Sequence, residues 1–253
     1  MGSLVIASMV LGFSYMAALV GMLLHARLPK QHLDAESREV VTLVMGLVAT
    51  MAALVLGLLV ASANTSHDGQ NTQLKELSAD MILLDRTLAL YGPDAQSVRH
   101  GMAEVARHTH DAIWSPAGVR PQNLNSAATQ NATRAKLIQF ASLPTRTDME
   151  RTLKGRAFEQ ADSIAKSRLL MFEGLRNQTS WLFLGILMFW ISVLFLGFGL
   201  LAQFNTTVAV TQFLGALSVA GAIFLILELS QPYRGLLRIS DEPLRAAIAQ
   251  LDR

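Results

Sequence analysis

The sequence predicts an all-α integral membrane protein, with four transmembrane helices and a helical soluble domain inserted between the second and the third. Four blocks of the chain contain no charged residue, and each is long enough to cross a hydrocarbon core of about 30 Å. Between the second and third blocks, apolar residues recur at helical spacing, and no strand pattern occurs anywhere. Helices alone are therefore expected.

The composition supports a membrane protein and excludes several other classes. Charged residues make up 16% of the chain, whereas soluble domains average about 25%. The net charge is only +2 and no Lys/Arg-rich run occurs, which argues against nucleic-acid binding. The chain has no cysteine, which excludes disulfides, thiolate metal ligands and a cysteine nucleophile.

The predicted transmembrane helices span residues 3–24, 40–63, 181–201 and 208–227. The first lacks the basic n-region of a signal peptide and is longer than a signal-peptide core, so we expect it to remain as a span. Only residues 202–207 separate the third span from the fourth, which predicts an antiparallel hairpin.

Residues 65–180 are expected to form the helical domain, and residues 228–253 a tail with a short helix over 242–251. The first helix of the domain carries a seam of apolar residues at alternating steps of three and four: Leu74, Leu77, Met81, Leu84, Leu88 and Tyr91. A later helix, 147–178, is predicted to turn four residues toward a common core: Met149, Leu153, Ile164 and Leu175.

The basic residues near the spans predict the orientation in the membrane. With four spans, both termini and the domain lie on one side, which carries Lys75, Lys166, Arg168, Arg176, Arg234, Arg238 and Arg245. The two short loops carry Arg27, Lys30 and Arg38. Because Lys and Arg accumulate on the cytoplasmic side, the domain and the termini are predicted to be cytoplasmic. The first span alone disagrees with this orientation, because the basic residues nearest to it, Arg27 and Lys30, come after it.

The second span is predicted to carry the functional surface. Seven small or mildly polar residues recur at steps of three or four, about 3.7 residues on average, so they share one helix face: Thr42, Gly46, Thr50, Ala53, Gly57, Ala61 and Asn64. Two interpretations stay open. Small residues allow transmembrane helices to pack closely, and the same face is suited to lining a pore shared by several subunits.

Few other residues suggest chemistry. Glu228, at the inner end of the fourth span, is predicted to be a charge at the inner mouth or part of a structural ion pair. Asp85 and Arg86 are expected to form a local ion pair. His108 and His110 point to different faces of a helix, so no metal site is expected. No catalytic motif occurs, and neither a catalytic residue nor a cofactor is predicted.

Three stretches together resemble a known family. They are residues 57–68, residues 84–94 with the sequence Leu-Asp-Arg-Thr-Leu-Ala-Leu-Tyr-Gly-Pro-Asp, and residues 224–240, which include Glu-Leu-Ser-Gln-Pro-Tyr-Arg-Gly. Their order and spacing resemble the bestrophin-like domain family of bacterial membrane proteins over nearly the whole chain. The family name implies kinship with bestrophins.

The resemblance implies a pentameric anion channel with four spans per subunit, a cytoplasmic helical domain and a pore lined by the second span. Bestrophins narrow the pore with aromatic residues, and the second span of this chain contains none. The candidate constriction residues are therefore Met45, Leu54 and Leu58, and the alternative is an open pore wall of Ala, Gly and Thr. The chain also lacks an acidic calcium-binding segment of the bestrophin kind.

The main hypothesis is a homo-oligomeric ion channel of the bacterial inner membrane, embedded in the lipid bilayer and self-associated into a ring. The alternative is a membrane-anchored signalling or scaffold protein, in which the seam from Leu74 to Tyr91 extends into a contact with a partner. A sensor with an external helical domain would require the opposite topology.

Overall fold

The computed structural model describes residues 2–28, 35–114, 138–176 and 181–251 of the chain, and every regular element in these ranges is helical. Besides the end of a helix at residues 138–141, seven α-helices have described bounds: α1 (Ser3–Arg27), α2 (Ala35–Tyr91), α3 (Gln96–Trp114), α4 (Asp148–Arg176), α5 (Trp181–Leu201), α6 (Thr206–Leu229) and α7 (Glu242–Leu251). A single 3₁₀ turn, Pro93–Ala95, joins α2 to α3. The all-helical class is confirmed for these ranges.

Four of the helices, α1, α2, α5 and α6, are long and apolar enough to cross a membrane. The expected hairpin between α5 and α6 has its loop at residues 202–205, and the Asn205 side chain caps α6 by accepting from the Thr207 amide at 3.1 Å. The helix α2 differs from expectation, because it runs unbroken for 57 residues through the polar stretch after Ala63.

The chain divides into two compact units. The first unit comprises residues 1–66 and 179–231, and the second comprises residues 67–178 and 232–253. The segment predicted as a tail thus contributes from Pro232 onward to the second unit. The helix α2 belongs to the first unit up to Ser66 and to the second from His67.

The first unit is assembled around a glycine contact between α1 and α5. A Cβ atom built on Gly199 would collide with the backbone carbonyl of Ala18, and one built on Gly21 would collide with that of Leu196. The two helix backbones therefore touch directly, as small residues permit in membranes. Tyr15 of α1 meets Phe213 of α6 edge to face, with ring centroids 5.6 Å apart.

The core of the second unit is formed by the predicted seam of α2. All six seam residues are buried at 8% exposure or less, and Leu153 and Ile164 of α4 are buried with them at 8% and 9%. The prediction for Met149 is wrong: its side chain is 66% exposed. It lies in the first turn of α4, where Thr147 and Glu150 exchange side-chain hydrogen bonds to each other's amides in a capping box. Leu175 lies outside the residues whose side chains are described.

An ion pair joins α2 to α3 in the second unit. The sequence suggested a local pair of Asp85 with Arg86, but the carboxylate pairs with a more distant arginine. Asp85 instead accepts two hydrogen bonds from Arg99 of α3, at 2.6 Å from Nε and 3.1 Å from Nη2. The Asp85 side chain is only 5% exposed. This hydrogen bond raises the pKa of Arg99, which keeps the guanidinium charged.

The segment after α6 is fastened to α3 by aromatic and polar contacts. Trp114 donates from Nε1 to the Ile239 carbonyl at 3.3 Å and meets the Tyr233 ring edge to face. His110 stacks on Trp114 and contacts Asp241 at 3.1 Å. The hydrogen bond from His110 lowers the pKa of Asp241, and burial raises the pKa of Tyr233. These contacts fix the ends of residues 232–241.

We predict that Gly199→Ala destabilises the protein, because the added Cβ would push against rigid helix backbone rather than a movable side chain. Overpacking of this kind costs about 1–3 kcal/mol. Thermal unfolding of the purified protein in detergent measures the effect. Gly185→Ala, on the same helix with nothing within 4 Å of its Cβ, is the matched control and should be neutral or stabilising. Equal melting of both variants would contradict the glycine contact.

We also predict that Arg99→Ala destabilises the second unit by about 2–3 kcal/mol, because it leaves the Asp85 carboxylate buried without its partner. Denaturant or thermal unfolding measures the loss. Arg107→Ala, at an exposed arginine of the same helix, serves as the control and should cost far less. If Arg86→Ala matched the effect of Arg99→Ala, the ion pair would be assigned to the wrong arginine.

Candidate functional site

The membrane-spanning part of α2 is the span least covered by its own subunit. In the most apolar stretch of each span, the share of residues that is buried is 28% in α1, 39% in α5 and 28% in α6, but only 11% in α2. Side chains buried at Met45, Ala52 and Ala63 define one packed face of α2. Partly buried residues flank this face, and the remaining surface of α2 is exposed.

The seven small residues predicted on α2 all lie on this open surface. We call them the small stripe, and each of them is exposed: Thr42, Gly46, Thr50, Ala53, Gly57, Ala61 and Asn64. A Cβ added to Gly46 or Gly57 would meet nothing within 4 Å. Gly46 and Gly57 therefore leave open space beside the helix, and the small stripe as a whole is exposed in its own chain.

The threonines of the small stripe are already satisfied by their own helix. The Thr42 hydroxyl donates to the Arg38 carbonyl at 2.8 Å, and the Thr50 hydroxyl donates to the Gly46 carbonyl at 2.9 Å. A threonine bonded in this way can face lipid, a neighbouring helix or water. Its oxygen can still accept a hydrogen bond, which makes the stripe mildly polar.

The helix α2 has a second exposed surface, which was not predicted from the sequence as a continuous stripe. We call it the leucine stripe, and it consists of Leu43, Leu47, Leu54 and Leu58, with exposures of 68%, 58%, 69% and 70%. Their steps of 4, 7 and 4 residues were the available signal, but a stretch so rich in apolar residues hides it. Two of the three candidate constriction residues, Leu54 and Leu58, belong to this stripe.

Met45, the third candidate, lies on the packed face instead. It is 5% exposed, and its thioether occupies the space where Gly197 of α5 has no side chain. Met45 thus fastens α2 to α5 inside the subunit. Gly197 was not singled out from the sequence, because nothing in the pattern of α5 marks which glycine receives a neighbouring side chain.

Glu228 is buried at 3% exposure near the end of α6, where the Ser3 hydroxyl of α1 donates to its carboxylate. The carboxylate therefore lies beside the first turn of α1, whose amides carry partial positive charge. A structural role in holding α1 against α6 accounts for this contact. In the described ranges, no three His, Cys, Asp or Glu side chains are grouped to hold a metal ion.

Comparisons with known proteins agree with the resemblance. The sequence model of a family described as "bestrophin-like domain" matches residues 12–244. The fold is similar to a crystal structure of a bacterial bestrophin homolog from Klebsiella pneumoniae that carries a mutation, with a TM-score of 0.70 and 12% sequence identity. That match covers 96% of each chain. Comparison with curated proteins gives no match.

Proposed function

Because this chain belongs to the bestrophin-like domain family, we propose that it is an ion channel in which several copies form a ring. The resemblance implies five copies, cytoplasmic termini and a place in the bacterial inner membrane. In the proposed ring, α2 of every subunit lines the pore. One observation carries this proposal: α2 is the span with the least cover from its own chain, and the seven small or mildly polar residues on one of its faces are all exposed.

The two open stripes of α2 fit a helix at the centre of a ring. Successive residues turn by about 100°, so the direction opposite the packed face runs between the small stripe and the leucine stripe. Thr50 and Leu54 lie on the two sides of that direction. If α1, α5 and α6 stand outside α2, both stripes border the lumen. Leu54 and Leu58 then narrow it, because their side chains extend furthest from the subunit.

The observation that favoured a scaffold protein does not hold. It required the seam from Leu74 to Tyr91 to be available to a partner, whereas all six seam residues are buried inside their own unit. The exposed face of α2 in the first unit favours self-association in the membrane instead. The open question between packing and pore lining can be tested on the small stripe itself.

We predict that Ala53→Trp leaves the ring assembled but lowers single-channel conductance on the order of tenfold, because an indole would fill the lumen. Planar-bilayer recording measures the conductance, and native mass spectrometry measures the number of copies. Met9→Trp, at an exposed position of α1, is the control and should conduct like the unmodified protein. Unchanged conductance in the assembled Ala53→Trp protein would remove α2 from the pore, and loss of assembly would show that the stripe is a packing surface.

A charge at the start of the small stripe bears on the ion that passes. Glu39 is exposed and continues the stripe at the same spacing, three residues before Thr42. A ring of carboxylates attracts cations and repels anions. The family resemblance implies anion conduction, but we propose that a ring of Glu39 carboxylates gives this chain a preference for cations.

The reversal potential in a salt gradient tests this preference. We predict that the unmodified channel has the reversal potential of a cation-selective channel, and that Glu39→Gln moves this reversal potential toward zero. Asp162→Asn, at an exposed carboxylate of α4, should leave it unchanged. A channel that conducts but reverses on the anion side would contradict the role of the carboxylates while leaving the channel proposal intact.

A further inference from the structure

A histidine near the end of α3 lies between two carboxylates of the second unit. The Nδ1 atom of His110 is 3.1 Å from Oδ1 of Asp111, and its Nε2 atom is 3.1 Å from Oδ2 of Asp241. The imidazole stacks on Trp114, with ring centroids 5.4 Å apart and an interplanar angle of 23°. Trp114 in turn meets Tyr233, whose phenol stays neutral because burial raises its pKa. The ring is thus held with both nitrogens facing carboxylate oxygens.

Only a protonated ring satisfies both of these contacts. The pKa of Asp241 is lowered, chiefly by the hydrogen bond from His110, so the carboxylate is ionised at neutral pH. An ionised carboxylate accepts hydrogen bonds but donates none, and a neutral imidazole donates from a single nitrogen. With a neutral ring, the lone pair of the other nitrogen would face a carboxylate oxygen. The geometry therefore corresponds to the imidazolium, whose two N–H groups both donate.

The other charged groups of the neighbourhood do not take over the role of this proton. Arg245 of α7 reaches the same Oδ2 atom of Asp241 at 2.7 Å, but its side chain is 67% exposed, so water screens its charge. Arg107 lies one turn before the histidine on α3 and is also exposed. On the side of α2, Asp85 is bonded to Arg99, about 16 Å away along α3.

The contact with Asp241 holds the start of a short helix. Asp241 immediately precedes α7, and its carbonyl accepts from the Arg245 amide at 3.0 Å. A helix of ten residues is marginal in water on its own, so α7 depends on its packing. It contributes three buried side chains to the core of the second unit: Leu244, Ala247 and Leu251. The bond from His110 ties the first turn of this helix to α3.

We propose that His110 is a proton-sensitive latch between α3 and the start of α7. The protonated ring bonds Asp111 and Asp241 together and holds α7 in place. The neutral ring keeps at most one of these bonds and carries no charge. Because histidine side chains change charge between about pH 5 and pH 8, the latch loosens as the pH rises through that range.

Two titrations set the range in which the latch is closed. The protonated ring finds its carboxylate partners only in the folded unit, so its stabilising contribution is complete on the acid side of the histidine titration and is lost as the pH rises. Asp241 sets the opposite limit. Its pKa is lowered in the folded unit, so its contribution is lost only when the pH falls through that lowered value. The latch is therefore closed in mildly acidic solution.

A contact that does not respond to pH is the rival interpretation. Asp111 is 81% exposed and can turn toward water, which would leave a neutral ring bonded to Asp241 alone through Nε2. The variant His110→Gln separates the two interpretations, because glutamine keeps a neutral donor but does not titrate. His108→Gln, at an exposed histidine of the same helix, is the matched control.

Thiol labelling of the full chain in detergent measures the opening of α7 directly, because the chain has no native cysteine. Ala247→Cys places a thiol at a position that is fully buried in α7 and becomes reactive only when the helix opens. Labelling rates are divided by those of a free thiol at the same pH, since the thiolate is the reactive form. Ala157→Cys, buried at 1% in α4, reports the opening of the whole unit.

We expect the opening equilibrium constant at position 247 to rise about tenfold between about pH 5.5 and pH 8, the difference between a charge-assisted and a neutral hydrogen bond. His110→Gln and Asp241→Asn should each remove this rise, and His108→Gln should keep it. A rise that persists in His110→Gln, or that His108→Gln removes, overturns the proposal. An equal rise at positions 247 and 157 also overturns it, because the unit would then open as a whole.

Thermal melting of the cysteine-free variants covers the case in which the new thiol itself loosens α7. The fall in melting temperature from about pH 5.5 to pH 8 should be larger for the unmodified protein and for His108→Gln than for His110→Gln. Equal falls in all three proteins overturn the proposal. None of these outcomes depends on ion conduction, so the latch and the channel are tested separately.

Discussion

A bilayer offers no water to the polar groups of a spanning helix, and this constraint bears most heavily on α2. The helix satisfies its own backbone and bonds its own threonine hydroxyls, so it can cross the membrane. Yet it leaves most of its surface without cover from α1, α5 or α6. Lipid tails can cover a leucine side chain, but a glycine or a threonine offers them little apolar surface to cover. A face of small residues is useful only where another helix or water approaches closely, and both occur at the centre of a ring.

The direction in which the first-unit part of α2 faces is fixed by its buried residues. Met45, Ala52 and Ala63 are buried at steps of 7 and 11 residues, which are close to whole helical turns. They therefore lie along one line of the helix surface, and the small stripe and the leucine stripe lie away from that line.

Much of this architecture could be predicted from the sequence, for physical reasons that also explain the misses. The four spans follow from length and absence of charge, and the seam from its 3–4 spacing. The continuity of α2 after Ala63 was missed because Asn, Ser and Gly are weak helix formers, although each costs only about 0.5–1 kcal/mol, which packing overrides. A helical pattern also cannot tell which face is packed, so Met45 was placed with Leu54 and Leu58. The partner of Asp85 is remote in sequence, and no local spacing marks it.

In the proposed pore, the two stripes would control the width and the hydration of the pore, and charge outside them would select the ion. The hydroxyl hydrogens of Thr42 and Thr50 are bonded to backbone carbonyls, and the leucine side chains have no polar atom. The part of α2 that carries the two stripes therefore has little capacity to replace the hydration shell of an ion. Passage through it must then depend on width and on whether water fills it. In the proposed pore, discrimination between cations and anions would fall instead to the charge at the start of the stripe, where Glu39 is exposed. A pore of this kind would open by widening at Leu54 and Leu58 and would select by electrostatics outside that narrow zone.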